Sequence, residues 1–149
     1  MQQTLSVSAI KEGVVIDHLI CGSAVKIVSL LKLADHQITV GLNLKSPSMG
    51  FKDLIKIENC SLSPANAGQI AIFSPKATVN VIENFQVIKK FSVQMPEAIH
   101  ACLECPNPRC ITHSEPVETL FTVEESGESV LLRCRFCEKL FNRDFLKAT

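Results

Sequence analysis

The sequence has no tryptophan and no tyrosine, and across its 149 residues 15 Lys and Arg balance 15 Asp and Glu. The first absence removes two of the rings on which nucleic-acid bases stack; the second leaves no overall basic footprint. The eight phenylalanines are expected mostly in the core. Glycine is scarce: the six at positions 13, 22, 41, 50, 68 and 127 never fall into G-x-G-x-x-G or G-x-x-x-x-G-K, which excludes the usual phosphate-cradling loops. No apolar run approaches the roughly 18 residues a membrane helix needs. "MQQTLSVSAIKEG" shows neither a basic n-region nor an apolar h-region. The expectation is a soluble cytoplasmic chain with reduced thiols.

Cysteine is what the chain has in unusual supply. Of seven, Cys21 and Cys60 stand apart, while "CLECPNPRC" (102 to 110) and "CRFC" (134 to 137) hold the other five. In a reducing compartment such grouping points to metal ligation, with redox-active thiols as the weaker reading. Zinc takes four soft donors at tetrahedral corners, and two short cysteine loops supply them. Cys134-x2-Cys137 is one loop. The other is either Cys102-x2-Cys105 or Cys105-x4-Cys110, and both are sterically possible. The two prolines and the asparagine of "CPNPRC" favour a tight loop that offers backbone N–H groups to sulfur, whereas "IHACLEC" alternates as a strand would, with Cys102 as a small apolar residue. His113 is a possible substitute ligand, more simply read as a surface histidine. Four protein ligands leave no open position, so the metal would be structural and its binding would supply folding free energy.

Two domains are expected, residues 1–95 and 96–149, with Pro96 marking the passage. The first carries nine Lys and Arg against six Asp and Glu, the second six against nine. In the first, "TLSVSAI", "VVIDHLI", "HQITVGLNL", "DLIKIENC", "ATVNVI" and "FQVIKKF" read as strands, with a turn at Glu83-Asn84. "GSAVKIVSLLKL" spaces Ala24, Ile27, Val28 and Leu31 helically behind a candidate N-cap, Ser23; "LSPANAGQIAIF" starts a second helix with Ser63 as N-cap and Pro64 after it. The order contains a ferredoxin-like βαββαβ with an added edge strand. The fold class is α+β, followed by a small all-β zinc ribbon of rubredoxin-like type.

Several segments carry a resemblance: "AIKEGVVIDHLI", "ITVGLNL", "MGFKDLIKIEN", "SPKATVNVIENFQV", "CPNPRCITHSEPV" and "LRCRFCEK". Over nearly its whole length the chain resembles the regulatory chain of bacterial aspartate carbamoyltransferase. The resemblance implies the register Cys105, Cys110, Cys134, Cys137 for one structural zinc. It implies a non-catalytic subunit that binds CTP, UTP or ATP as effectors. It also implies a homodimer of this chain within a dodecamer of two catalytic trimers and three regulatory dimers, the catalytic chain performing the carbamoyl transfer.

Carried over position by position, the nucleotide pocket implied is Ile10 and Val15 near base or ribose and Asp17 and His18 by sugar and phosphates. Leu54, Asn80, Ile82, Phe85 and Val87 complete it, and Lys56 and Lys90 meet ribose and phosphate oxygens. Phe85 stands where a tyrosine can occur. Contacts with the catalytic chain would fall on Asn107, Arg109, Glu138 and Lys139. Taken singly these residues are ordinary; Lys56, for instance, alternates with apolar neighbours as a solvated strand residue would. The lysines gain meaning together, because a triphosphate with about four negative charges requires several convergent cations when no phosphate loop is present. The alternative function is a zinc-ribbon module for nucleic acid, which the net negative second domain and the missing Trp and Tyr disfavour.

Overall fold

The computed structural model describes residues 10–149. Its first half runs β1 (Gly13–Leu19), α1 (Ser23–Leu31), β2 (Ile38–Ser46), β3 (Gly50–Glu58), α2 (Pro64–Phe73), β4 (Thr78–Glu83) and β5 (Gln86–Ser92). The antiparallel sheet has the order β2-β3-β1-β4-β5, so two split βαβ units interlock as expected and β5 is the added edge strand. The strand expected in "TLSVSAI" lies outside the described residues, except for Ile10, which is buried and outside any strand.

Alternation sorts the sheet into two faces. Val14, Ile16, Ile55, Ile57 and Val79 point to one side and join Ala24, Ile27 and Leu30 of α1 and Ile70 and Phe73 of α2 in one buried cluster. Each such large aliphatic side chain contributes about 1.5–3 kcal/mol by leaving water. Val15, Lys56, Asn80 and Lys90 project to the other side.

The helix starts show where local sequence decides and where it does not. At α2 the expected cap forms: Ser63 Oγ accepts from Asn66 N at 3.1 Å and Asn66 Oδ1 accepts from Ser63 N at 3.1 Å, with Pro64 at the first helical position. At α1 the expected cap, Ser23, is corrected. The N-cap is Gly22, at φ 92°, and the acceptor comes from β3. The fully buried Asp53 takes Gly22 N at 2.8 Å and Ala24 N at 3.3 Å on one oxygen and Asn43 N at 3.0 Å on the other. Ser23 turns inward instead, donating to Ile20 O at 2.6 Å and meeting Ser74 Oγ at 2.8 Å. Asp53 thus ties α1 to a bulge in β2. Asp53→Ala would remove the charged acceptor of three amides, that of the buried Ala24 among them, and we expect it to cost about 3 kcal/mol in a urea titration. A loss under 1 kcal/mol would mean that the amides find other partners.

The β4–β5 turn also shifts from expectation. Asn84 and Phe85 occupy it with φ 51° and 65°, the pair of left-handed residues that a two-residue hairpin demands, so the strand begins at Gln86 rather than Phe85.

The second half contains β6 (Ala98–His100), β7 (Leu103–Glu104), β8 (Leu120–Ser126), β9 (Ser129–Cys134), β10 (Leu140–Asn142) and β11 (Lys147–Ala148). A four-stranded sheet, β10-β9-β8-β6, stands beside the β11-β7 pair. The strand expected through "IHACLEC" breaks at Ala101, whose φ of 73° reverses the chain. Cys102 nonetheless packs against the core as a half-buried apolar group. Phe121, Leu132 and Leu146 are buried here, continuous with the core of the first half. The seam closes where α1 meets β11 and where Gly68 of α2 faces Pro96; a Cβ at Gly68 would stand 3.3 Å from the proline ring, which explains a glycine inside a helix despite its cost of about 1 kcal/mol.

Candidate functional sites: a thiol cluster and a cationic sheet face

The two cysteine loops converge. Sγ of Cys105 lies 3.7 Å from that of Cys137, Cys110 Sγ lies 3.7 Å from Cys134 Sγ, and all four sulfurs fall within 4.8 Å of one another. Four sulfurs at a Zn–S distance of about 2.3 Å form a tetrahedron with edges of about 3.8 Å; two pairs already stand at that length, and none is more than 4.8 Å apart. Cys102 stays outside the group. His113 lies outside it too, with Nε2 against the carbonyl oxygen of Cys105 at 2.9 Å.

Local structure sets this geometry. In the first loop Asn107 accepts Arg109 N on Oδ1 at 3.1 Å and Cys110 N on its carbonyl at 3.0 Å. In the second, Glu138 at φ 63° donates to Cys134 O at 2.9 Å, and Cys134 N returns a bond to Lys139 O at 3.0 Å. Burial pushes the Cys105 and Cys134 thiols above the ordinary range. Burial also raises Cys137, but hydrogen bonds from the Asn107 side chain and the Lys139 backbone outweigh it and bring that thiol down to about 7. Donors aimed at sulfur favour thiolates, and a divalent cation would neutralise them. Asn107 thus bonds to the sulfur cluster as well as within its own loop.

The other candidate residues share the sheet face turned away from the helices. Val15 pairs with Lys56 on β3 and with Asn80 on β4, and Asn80 pairs with Lys90 on β5. Lys56, Val15, Asn80 and Lys90 therefore form one cross-strand row, about 14 Å long from three strand spacings. Ile82 pairs with Val87 in the next row, and Leu54 precedes Lys56 on the same side of β3. Asp17, opposite Thr78, sits in the row on the other side of the lysine row from Ile82. Phe85 lies at the hairpin tip, 62% exposed, its amide bonded to Lys11 O at 3.0 Å, and this bond brings the segment after Ile10 to that end of the sheet.

Two residues missed in the sequence complete this face. Lys52 forms an ion pair with Asp17 at 2.8 Å, which removes the charge that would repel an anion, and Thr78 Oγ1 meets His18 Nδ1 at 3.1 Å. The period-two spacing of Lys52, Leu54 and Lys56 was a signal for the first; a pairing across strands left none for the second. His18 has φ 59°, at the irregularity where the β1–β3 register slips. Lys56 is only 8% exposed, and burial lowers its pKa below the ordinary 10.5. A cleft of about 490 Å³ near Pro64, Lys89 and Phe91 lies on the helix side of the sheet; its mostly apolar lining suits no polyanion.

Arg109, Glu138 and Lys139 are exposed around the cysteine loops, and the structure adds apolar neighbours that the sequence reading passed over: Ile111 is 51% exposed, Phe136 42% and Leu140 39%. Their signal was three apolar residues placed within or just after cysteine loops.

A ferredoxin-like half with a row of lysines, joined to a ribbon closed by four cysteines, has the build of a regulatory metal-binding chain rather than of an enzyme. Comparison with known proteins agrees. The family model described as "Aspartate carbamoyltransferase regulatory chain, allosteric domain" matches residues 5–94, and that described as "Aspartate carbamoyltransferase regulatory chain, metal binding domain" matches residues 97–147. The aspartate carbamoyltransferase regulatory chain of Chromobacterium violaceum is 48% identical over 98% of this chain and 97% of its own length. Those of Photobacterium profundum, at 48%, and Aeromonas hydrophila, at 49%, each align over 95% of this chain and 94% of theirs. The chain belongs to the family of aspartate carbamoyltransferase regulatory chains: it is a non-catalytic, allosteric chain with a metal-binding domain.

Proposed function

We propose that this chain binds CTP, UTP or ATP on the cationic sheet face of residues 1–95 and holds one structural zinc ion on Cys105, Cys110, Cys134 and Cys137 in residues 96–149. Through the second domain it docks on the catalytic chain of aspartate carbamoyltransferase in the cytoplasm. Regulatory dimers would join catalytic trimers, three dimers to two trimers. A nucleotide controls the distant active site only if it binds the low- and high-activity states with different affinities, and the coupling is reciprocal.

The observation that carries this reading is the row Lys56, Val15, Asn80, Lys90 on adjoining strands, with Asp17 neutralised by Lys52 beside it. Apolar Val15, Ile82 and Val87 suit a base and ribose, while the lysines and His18 suit phosphate oxygens. Ile10, Leu54 and Phe85 would close the pocket. A calorimetric titration of the zinc-loaded chain with CTP and with ATP tests it, with an RNA oligonucleotide in the same buffer. Both nucleotides should saturate one site and displace each other; heat from the RNA alone would favour a nucleic-acid module.

For docking, the exposed trio Ile111, Phe136 and Leu140 beside Arg109, Glu138 and Lys139 has the apolar centre and polar rim of a protein interface. Phe136→Asp should weaken assembly with the catalytic chain by about 30-fold or more in analytical ultracentrifugation, as loss of a central aromatic anchor does. Unaltered assembly would move the contact elsewhere.

A further inference from the structure

The two halves meet along a seam that is tight on one side and open on the other. On the tight side α1 packs on β11, Gly68 abuts Pro96, and the core runs through without a break. On the other side a cleft of about 560 Å³ separates Ile20, Met49 and Lys76 of the first half from Glu125, Glu128 and Val130 of the second. Arg143, from the turn after β10, also lines this cleft and crosses it: its Nη1 donates to Ile72 O at 3.0 Å.

The acceptor is significant. Ile72 lies in the last turn of α2, where carbonyls have no partner within the helix and carry the negative end of its dipole, so a guanidinium from the other half completes the helix end. Two residues on, the buried Ser74 Oγ accepts from Ile20 N at 3.0 Å and meets Ser23 Oγ at 2.8 Å. Ile20 in turn follows directly on Asp17, His18 and Leu19, the phosphate end of the proposed nucleotide site. A second cation flanks the same place: Lys26 of α1 lies 5.0 Å from the Phe73 ring centroid and reaches Asp144 O at 3.5 Å.

We propose that Arg143 is the positioning residue that couples the nucleotide face to the metal-binding half. A shift of the β1 end on nucleotide binding is passed through Ile20 and Ser74 to the C-terminal end of α2, and Arg143 carries it across the cleft while the packed side acts as the hinge. The inference rests on the nucleotide reading above and deepens it by naming the residue that joins the two sites. Arg143 touches neither the sulfur cluster nor the lysine row, so its removal changes transmission and leaves binding alone.

The test is made on the zinc-loaded chain assembled with its catalytic chain. Arg143→Ala should keep CTP affinity within about twofold, keep its zinc and assemble, while the change in carbamoyl-transfer activity produced by CTP and by ATP falls roughly 2- to 30-fold in coupling; Arg143→Lys should retain most of the response. A full response in Arg143→Ala overturns the proposal. So does a parallel loss of nucleotide affinity or zinc, which would mark Arg143 as merely structural. If the unaltered assembly binds no nucleotide, the functional reading fails and Arg143 has nothing to couple. If that assembly binds nucleotide and responds while the variant matches it, only the role of Arg143 fails.

Discussion

A Cys137→Ala chain is expected to lose its metal, unfold over residues 97–149 and stop assembling with the catalytic chain, while the first half keeps its sheet and still binds nucleotide. Cys137 Sγ sits 3.7 Å from that of Cys105, and its loss leaves three ligands where a structural zinc takes four. The second half has only a small set of fully buried large side chains, among them Phe121, Leu103, Leu132 and Leu146. About 50 residues with so little core fold by borrowing stability, and a structural zinc supplies an apparent 10–16 kcal/mol. Removing the ion with a chelator should have the same effect. Amide NMR signals of the second half, followed with and without zinc, would report it. A variant that still assembles would show that thiol packing alone holds the ribbon.

The other large effect is expected at Lys56. Its replacement by alanine should reduce CTP affinity about 10- to 150-fold, the cost of losing a charge-assisted hydrogen bond, and abolish the effector response without releasing zinc. Burial holds the Lys56 pKa below 10.5, which fixes the sign of the pH dependence. The charged form binds phosphate or ribose oxygens, so affinity falls as pH rises through the folded pKa, below the ordinary lysine value. In that window binding takes up protons, because the anion draws the pKa back up. Stability moves the other way. The unfolded chain holds more protons between the folded pKa and 10.5, so folding is favoured as pH rises there. Calorimetry in buffers of different ionisation enthalpy, run at a series of pH values below 10.5, separates proton uptake from binding heat. An unchanged CTP titration in Lys56→Ala would remove this lysine from the site.

The parts of this structure that were legible in sequence are those that local chemistry decides. Ser63 and Pro64 cap and start α2 because the motif is self-contained. The tight loops of "CPNPRC" and "CRFC" bring four thiols together in the register that loop chemistry favoured and spacing left open. Alternation of Lys56 with Ile55 and Ile57 set it apart from the core-facing residues of its strand, but only the strand order and register placed it in one row with Lys90. What sequence concealed depends on partners distant along the chain. Ser23 looks like an N-cap until Asp53, 30 positions later, takes the role. Asp53 itself reads as a surface acid in a strand, yet it is fully buried. The break at Ala101 has no glycine to announce it; its amide is held by Thr119 O at 2.8 Å. The Arg143 contact with Ile72 links residues 71 positions apart, and no periodicity encodes it.

The most direct test of the account is reconstitution. The catalytic chain's carbamoyl-transfer activity would be measured alone, with the zinc-loaded regulatory chain, and with that chain plus CTP or ATP at subsaturating aspartate. Nucleotides should leave the isolated catalytic chain unaffected and should change the activity of the assembly through a response that disappears in Lys56→Ala. An assembly that forms but ignores both nucleotides would contradict the account.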